Sequence, residues 1–580
     1  MRKPRRRTST ARGEHRAGGA RAVIERASAL LLRGNGSAAL RLLEPAVLRY
    51  PEDAEIVTRC GDALYLLEHV TEAREAYKRS LSADDAIFQA WYGLGCAEFS
   101  RGAYAAAIES FARAVALHGR DGDARMYLAK CLFYMGHVDE AIRECRAVAQ
   151  GRDTESRRQA LGEIAKIVPE SPSLGNAEIL KARVAWAKAE AKIERPAMKW
   201  RSREHARADS AGRKIRVGYV SAFFGSRNWM KPVWGVINEH ERSRFEIVLF
   251  ADREKPSLES GYRQHPADGL EDITGLTNEA AAKRIARAGI DVLVDLNWYS
   301  FASRLGMFMR KPAPVVCGWF GMYATTGVRA FDYIVADESA LLRAEERFCT
   351  EHVLRVSGSY LAFRVLYPVP DVVAPPCVAT GAITFGCFAP QYKITDEMIA
   401  TWSRILSAVP TSRLILKDNC LDEESNRSAV FGRFAQFGVP QGRVTLEPPA
   451  EHYEFLKAYA RVDIALDTFP YNGATTTTEA LWQGVAVLTF NGDRWVSRTS
   501  RSLLRAAGLA EWVLGSRKGY VERAIELAKS PETPGKLAAL RKVLREKVAR
   551  SAACDTKALC AELEQHYKKL VRPSVASRAD

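Results

Sequence analysis

Apolar positions in the first quarter of the chain fall on helical faces that repeat. Trp91, Leu94 and Gly95 are followed by Ala107, Phe111 and Ala114, and the positions 34 residues earlier include Gly61, Ala73, Tyr77 and Ser80. A further step back reaches Ala39, Leu43 and Ala46, while a step forward reaches Leu128, Ala129, Ala141 and Cys145, with Gly102 landing on Gly136. Small residues recur where helices must cross closely and large apolar ones where the next unit must be filled, which is the signature of helical hairpins stacked on their neighbours. The spacing predicts four hairpins over residues 22–150. Beyond them Leu161, Ile164 and Ile167, then Ile179, Leu180, Val184 and Ala187, keep a helical period broken from Pro169 to Gly175. A helical connector ending in a basic linker is expected over 151–213.

At Ile215 the period changes. Short β-rich runs (IRVGYVSAFF, FEIVLFA, IDVLVDL, PVVCGWFG, DYIVAD) alternate with helix-length segments, among them a helix expected over 278–288, and a second set follows: AITFGCF, SRLILKD, GRVTLEPP, VDIALDTF and VAVLTF. Such runs are the mark of parallel βαβ units. Pro368, Pro370, Pro375 and Pro376 separate the two sets. Two Rossmann-like lobes are expected, at 214–375 and 376–530, with a C-terminal helix and tail over 531–580. The fold class is an α-solenoid followed by a two-lobed α/β body.

A chain of 580 residues is too long for one core, in keeping with several units. No stretch approaches the roughly 18 uncharged apolar residues that cross a bilayer, so membrane insertion is not expected. The net charge of +16 would suggest nucleic acid, but residues 1–21 carry eight basic side chains against Glu14 alone. The excess belongs largely to a basic tail, expected to be disordered, and nucleic acid is not expected as the main partner. Eleven cysteines stand singly, with no C-x-x-C and no histidine at ligand spacing. Reduced thiols in a cytoplasmic compartment are expected, and neither a metal site nor a cofactor.

Ligands of open parallel sheets bind beyond the carboxyl ends of the strands, and the motif-rich loops lie there. After VDIALD comes Thr468-Phe-Pro-Tyr-Asn-Gly-Ala-Thr-Thr-Thr-Thr-Glu479, leading into a helix. Free N–H groups and the positive dipole end suit a diphosphate, with Glu479 on the first turn placed to accept from a ribose. Plain N-capping by a threonine is the alternative. Lys393, after FGCFAPQYK, follows another strand end and can neutralise phosphate. His240 and His265 read as surface histidines.

The W-x-x-L-G hairpins together with RVGYVSAFF, DVLVDLNWYSFASR, PAPVVCGWFGMYATTG, ITFGCFAPQYKIT, EHYEF, DIALDTFPYNGATTTTEALW and WVSRTSRSLL resemble the tetratricopeptide-repeat O-linked N-acetylglucosamine transferase family. The resemblance runs from residue 22 to about 530. It implies a metal-independent, inverting GT-B glycosyltransferase acting on protein side chains, with the repeats holding the acceptor. By matching motif, Lys393 would hold the donor phosphates, Thr475 and Thr476 would bind them beside Gly473, and Glu479 would take the ribose. His452 and Tyr392 match family residues near the base and the lysine, and Gly321 and Thr326 match the segment lining the sugar.

The chain departs from the pattern at three places. A histidine expected shortly after the first strand is missing, with Phe223 and Arg227 at the acid and histidine positions of a gap-free match. Ala474 replaces the usual residue of the PYNG loop, and Ala389, Pro390 and Gln391 replace a polar pair before Tyr392. For the proton acceptor, Asp295, Asn297 and Tyr299 end the VLVDL strand, while Arg227, Asn228 and Lys231 occupy the place of the lost histidine; a strand-end cap is the alternative for Asp295. Lys393, Asp295, Tyr299 and Arg227 are thus the catalytic candidates. The expected reaction transfers a sugar from a nucleotide-sugar donor, by default UDP-N-acetylglucosamine, to Ser or Thr of a protein recruited by the repeats. The alternatives are a CMP-nonulosonate donor with flagellin as acceptor, and a catalytically silent repeat-based binding module.

Overall fold

The computed structural model describes residues 8–194, 213–321 and 323–571, and for residues 8–18 the backbone only. The basic linker expected after the connector lies largely outside the described residues, as do the first seven residues, Met322 and the last nine. The molecule divides into two compact units, residues 1–156 with 420–430, and residues 157–419 with 431–580.

The first unit is built of helical hairpins: α1 (Thr8–Leu32) with α2 (Gly36–Arg49), α3 (Ala54–Leu66) with α4 (Val70–Ala83), α5 (Phe88–Ser100) with α6 (Tyr104–Leu117), and α7 (Gly122–Tyr134) with α8 (Val138–Ala149). α1 begins at Thr8, inside the segment that the charge pattern assigns to a tail; alanine and arginine favour its extension. The turn before each second helix holds a left-handed residue at the same phase: Gly34, Glu68, Gly102 and Gly136. Glycine adopts this conformation freely, and Glu68 is the non-glycine exception. Ala39, Ala73, Ala107 and Ala141 are fully buried at the crossings, and Leu43, Tyr77, Phe111 and Cys145 fill the gaps between hairpins. The Tyr77 ring is wedged against Gly61 and Gly93, where an added Cβ would clash with it, and its hydroxyl donates to Asp62 at 2.9 Å.

In the second unit, α9 (Thr154–Ile167), whose first residues belong to the first unit, leads through a turn at 168–170 to α10 (Asn176–Glu190), reproducing the expected break at Pro169. Two parallel sheets follow. The first holds β1 (Ile215–Phe223), β2 (Phe245–Glu254), β3 (Gly269–Asp272), β4 (Val292–Asp295), β5 (Val315–Gly318), β6 (Tyr333–Asp337) and β7 (His352–Val356) in the order β3-β2-β1-β4-β5-β6-β7. The second holds β8 (Thr384–Cys387), β9 (Arg413–Lys417), β10 (Val444–Glu447), β11 (Ile464–Leu466), β12 (Ala486–Phe490) and β13 (Val513–Leu514) in the order β10-β9-β8-β11-β12-β13. Each lobe reverses its strand order beside its first strand, between β1 and β4 and between β8 and β11. These switch points open clefts at the strand ends.

Buried contacts join the lobes. Arg498 donates to the Ala340 carbonyl at 3.1 Å and pairs with Glu345, and Ser502 donates to Asp337. The C-terminal stretch is two helices: Thr533–Ala549 packs on the second lobe, whereas Thr556–Val571 lies against β1, β7 and the helix Lys231–Ile237 of the first. His240 is buried there, between the Tyr219 hydroxyl at 2.8 Å and Glu564 at 2.9 Å. The surface position read from the sequence is thereby corrected, because the partner that covers it comes from the far end of the chain. His265 is exposed as expected.

Because Gly93 leaves the space that Tyr77 fills, Gly93→Ala should overpack this crossing and destabilise the repeat unit by about 1–3 kcal/mol. Thermal unfolding followed by circular dichroism checks this; an unchanged midpoint would mean the ring moves aside at no cost.

Candidate active site

The strand ends of the second lobe are organised by Asp467, just past β11. Its Oδ1 accepts from the Gly473 N–H at 2.7 Å and the Thr468 N–H at 3.0 Å, and its Oδ2 from the Thr489 hydroxyl at 2.7 Å. The loop Thr468–Ala474 is therefore folded onto a buried carboxylate. Asn472 tightens it, its amide donating to the Thr468 carbonyl at 2.7 Å and its own carbonyl accepting from the Lys393 ammonium at 2.9 Å. The loop enters the helix Thr475–Trp482, whose cap is Ala474, a residue with no side chain to satisfy the first N–H groups. The capping alternative thus fails at the cap itself, and the helix start remains open for an anion.

Lys393 stands on a short turn after β8, with its ammonium 3.6 Å from the centre of the Tyr471 ring. Burial lowers its pKa to about 8, against which Glu170 and Asp467 hold the charge on. A cation kept in so dry a place attracts a phosphate far more strongly than a surface lysine does.

Around it lies a cavity of about 450 Å³ lined from the second lobe by Lys393, Tyr392, Thr475, Thr476, Glu479 and His452, with Lys417, Asp418 and Phe455 beside them. The first lobe contributes Asn228, Trp229 and Tyr323. Burial and the neighbouring Lys231 and Arg227 lower the His452 pKa to about 4, so the ring is neutral at pH 7. Glu479 is pushed up by burial and drawn back by Lys231 and a hydrogen bond from Asn228. Six sequence candidates, from both sides of the donor motif, thus meet in one cavity. Gly473 stands just behind its wall, where a Cβ would meet the Thr476 hydroxyl at 2.7 Å.

The first-lobe candidates divide. Asp295 is fully buried at the end of β4, raised by burial to about 7, and accepts from the Asn297 N–H at 2.9 Å and the Trp298 N–H at 3.3 Å. Trp298 has φ +51°, so the carboxylate secures a left-handed backbone turn, which is the strand-end cap role, away from the cavity wall. Tyr299 spends its hydroxyl on the Thr326 carbonyl at 2.7 Å and lies under the Arg183 guanidinium at 4.2 Å. Thr326 is fully buried and bonded through N–H and hydroxyl to Glu351. Neither lines the cavity. They brace the loop that presents Tyr323. Gly321 starts that loop without lining the cavity, and Arg227 is exposed at its rim, where its charge reaches His452.

One residue gives no signal in the sequence, Glu170, and another, Lys231, is marked there only as occupying the place of the lost histidine. Glu170, in the break between α9 and α10, has Oε2 sealed and unpartnered and is raised by burial to about 8, with Lys393 as its strongest opposing charge. Lys231, at the start of the helix Lys231–Ile237, lies 3.9 Å from Glu479. Among the described residues the one grouping with metal-ligand spacing is His240, Cys560 and Glu564, and both histidine nitrogens already share hydrogen bonds.

The chain matches glycosyl transferase family 41 over residues 182–353 and 376–563, and tetratricopeptide repeat profiles over 24–88, 61–118 and 98–165. It is 31% identical over 365 residues to a probable UDP-N-acetylglucosamine–peptide N-acetylglucosaminyltransferase SPINDLY of Petunia hybrida, covering 62% of this chain and 39% of that protein. To the UDP-N-acetylglucosamine–peptide N-acetylglucosaminyltransferase of Caenorhabditis elegans it is 23% identical, covering 61% and 40%. The chain spans about two fifths of the length of these relatives. A solved lysine-to-methionine mutant of the Thermobaculum terrenum O-GlcNAc transferase superposes with a TM-score of 0.74 at 28% identity, over 93% of this chain and 98% of that one.

Since Lys393 is charged below pH about 8 and neutral above it, pyrophosphate should bind tightly at pH 7 and weaken up to about tenfold per pH unit once the lysine loses its proton. Calorimetry across pH 6.5–9.5 tests this (a range of about three units), with Lys393→Arg expected to abolish the alkaline fall. The same fall in the arginine variant would assign the titration elsewhere.

Proposed function

The chain belongs to glycosyl transferase family 41, and on that premise we propose that it transfers a sugar from a nucleotide-sugar donor to a serine or threonine hydroxyl of an acceptor protein. The observation that carries the reading is the cavity itself, in which a buried ammonium and an uncapped helix N-terminus converge from two strand ends of one lobe. UDP-N-acetylglucosamine is the first donor to test, because the relatives named above are described as acting with it.

In this reading the donor diphosphate lies against Lys393 and the N–H groups at Thr475 and Thr476, with the nucleoside toward His452 and Glu479. As the bond from sugar to phosphate breaks, charge grows on the leaving diphosphate, and Lys393 meets it in a water-poor site. The acceptor hydroxyl attacks from the opposite face, which inverts the anomeric centre, and releases its proton to water. The resemblance implies no metal in this step, and the cationic groups present supply charge for the leaving group. The repeats, which stack only on their neighbours, would hold the acceptor. The eleven cysteines are dispersed singly along the chain, with no C-x-x-C pair, a usage that supports a reducing compartment such as the cytoplasm. Among the described residues no helix is long and apolar enough to cross a membrane.

Incubation of the protein with candidate acceptors, flagellin included, and with UDP-N-acetylglucosamine or a CMP-nonulosonate tests the reading, with intact-mass spectrometry as readout. The expected result is a mass increment of one N-acetylhexosamine. An increment only with the CMP-linked donor would replace the donor, and nucleotide binding without any product would favour a silent binding module. Lys393→Ala should lower transfer by about 100-fold or more with the fold intact. Glu479→Ala should raise the donor KM more than it lowers kcat, since a ribose contact acts nearly equally in ground and transition states. The opposite pattern would place Glu479 at the chemistry.

A further inference from the structure

Beside the cavity, side chains of both lobes bring together polar atoms that have no partners. Lys231 of the first lobe and Glu479 of the second are each 3% exposed. Lys231 Nζ stands 3.9 Å from Glu479 Oε1, beyond hydrogen-bond reach, and neither atom has a hydrogen-bond partner. His452 Nδ1 is likewise 3.9 Å from Glu479 Oε1, and its Nε2 is buried and unpartnered. Buried polar atoms left without partners are costly and rare, and three within one cluster at a cavity wall call for a ligand that completes them.

The chemistry of the cluster selects that ligand. An ammonium only donates and a carboxylate only accepts, so a purely anionic group would satisfy Lys231 while being repelled by Glu479. A pair of adjacent hydroxyls satisfies both, one donating to the carboxylate and the other accepting from the ammonium. Glu479 lines the same cavity as the phosphate-holding Lys393. We propose that Lys231 is a second ribose-binding residue, so that the nucleoside's vicinal diol is held between an ammonium of the first lobe and a carboxylate of the second. This inference rests on the nucleotide-site reading above and adds to it the group that discriminates the sugar of the nucleotide. Burial lowers the pKa of Lys231 and raises that of Glu479, each partly opposed by the other, as fits a pair that lacks its bridging group. The diol then also links the two lobes, since its two hydroxyls answer to different ones.

Calorimetric binding of uridine diphosphate and of its 2′,3′-dideoxy analogue to the intact chain tests the proposal. The wild type should prefer the ribonucleotide by about tenfold or more, the range expected for hydrogen bonds to charged groups. Lys231→Met should lose most of that preference by weakening the ribonucleotide, while its affinity for the dideoxy analogue stays within about threefold of wild type. In a Glu479→Gln background Lys231→Met should still weaken the ribonucleotide; no further loss there would mean that Lys231 acts only through Glu479's charge, and overturns the proposal. Lys231→Gln, which keeps a donor, should retain an intermediate preference and serves if the methionine variant does not fold. Equal losses for both nucleotides, or a preference unchanged in either variant, also overturn it. A wild type that binds uridine diphosphate without preferring it over the dideoxy form sinks this inference and leaves the nucleotide site standing. No binding of uridine diphosphate at all sinks the reading of the site.

Discussion

A positive charge removed from water must be answered by acceptors or by an opposite charge, and much of the second lobe is arranged around one such charge. Lys393 has the Asn472 carbonyl, the face of Tyr471 and the field of Glu170 and Asp467. None of these is a full salt bridge, so the ammonium is held charged yet incompletely neutralised. Asp467 appears twice in this arrangement, once through its charge and once by folding the loop whose carbonyl receives the lysine. The open helix start at Ala474 is a second incomplete group on the same wall. Two incompletely satisfied positive groups on one wall make that wall suited to an anion.

The strand-end candidates of the first lobe contribute shape more than charge. Asp295, Tyr299 and Thr326 are strand-end residues of the kind that carry chemistry in other folds, but here their polar atoms are consumed in bracing backbone. Asp295 secures the left-handed Trp298, and Glu351 takes both polar groups of Thr326. Their effect is to present Tyr323, whose ring lies 5.1 Å from Tyr471 across the lobes. Burial of those carboxylates raises their pKa values through desolvation alone, which is how a structural acid comes to resemble a catalytic one.

The repeats were legible because Ala39, Ala73, Ala107 and Ala141 do one job at one phase, and a periodic job leaves a periodic sequence. Strands buried on both faces, such as Val292–Asp295 and Ala486–Phe490, were legible as apolar runs. The strands that escaped notice, β3, β7 and β13, are sheet edges, where half the positions meet water and the apolar run breaks up. Within the site, the residues adjoining a strand end and a glycine-bearing loop were found from sequence. Tyr299 and Thr326 were assigned to the cavity because their true partners, an arginine in α10 and a glutamate before β7, are distant in the chain. Glu170 gave no signal, since a carboxylate in a helix break ordinarily faces solvent.

The helix Thr556–Val571 packs on β1, the first strand of the first lobe, and supplies Glu564 to His240 and Glu562 to the Ser357 N–H at 2.7 Å. The earliest strand of the α/β body therefore receives part of its covering from the last described helix. On a ribosome the first lobe emerges with that face bare and stays so while roughly 180 further residues are made before this helix begins. The second lobe waits less, because Thr533–Ala549, which packs on it, follows its last strand after a single helix, Arg517–Lys529. The covering of the first lobe is thus completed later in synthesis than that of the second, and the helix Thr556–Val571 ties the first strand of the α/β body to the far end of the described chain.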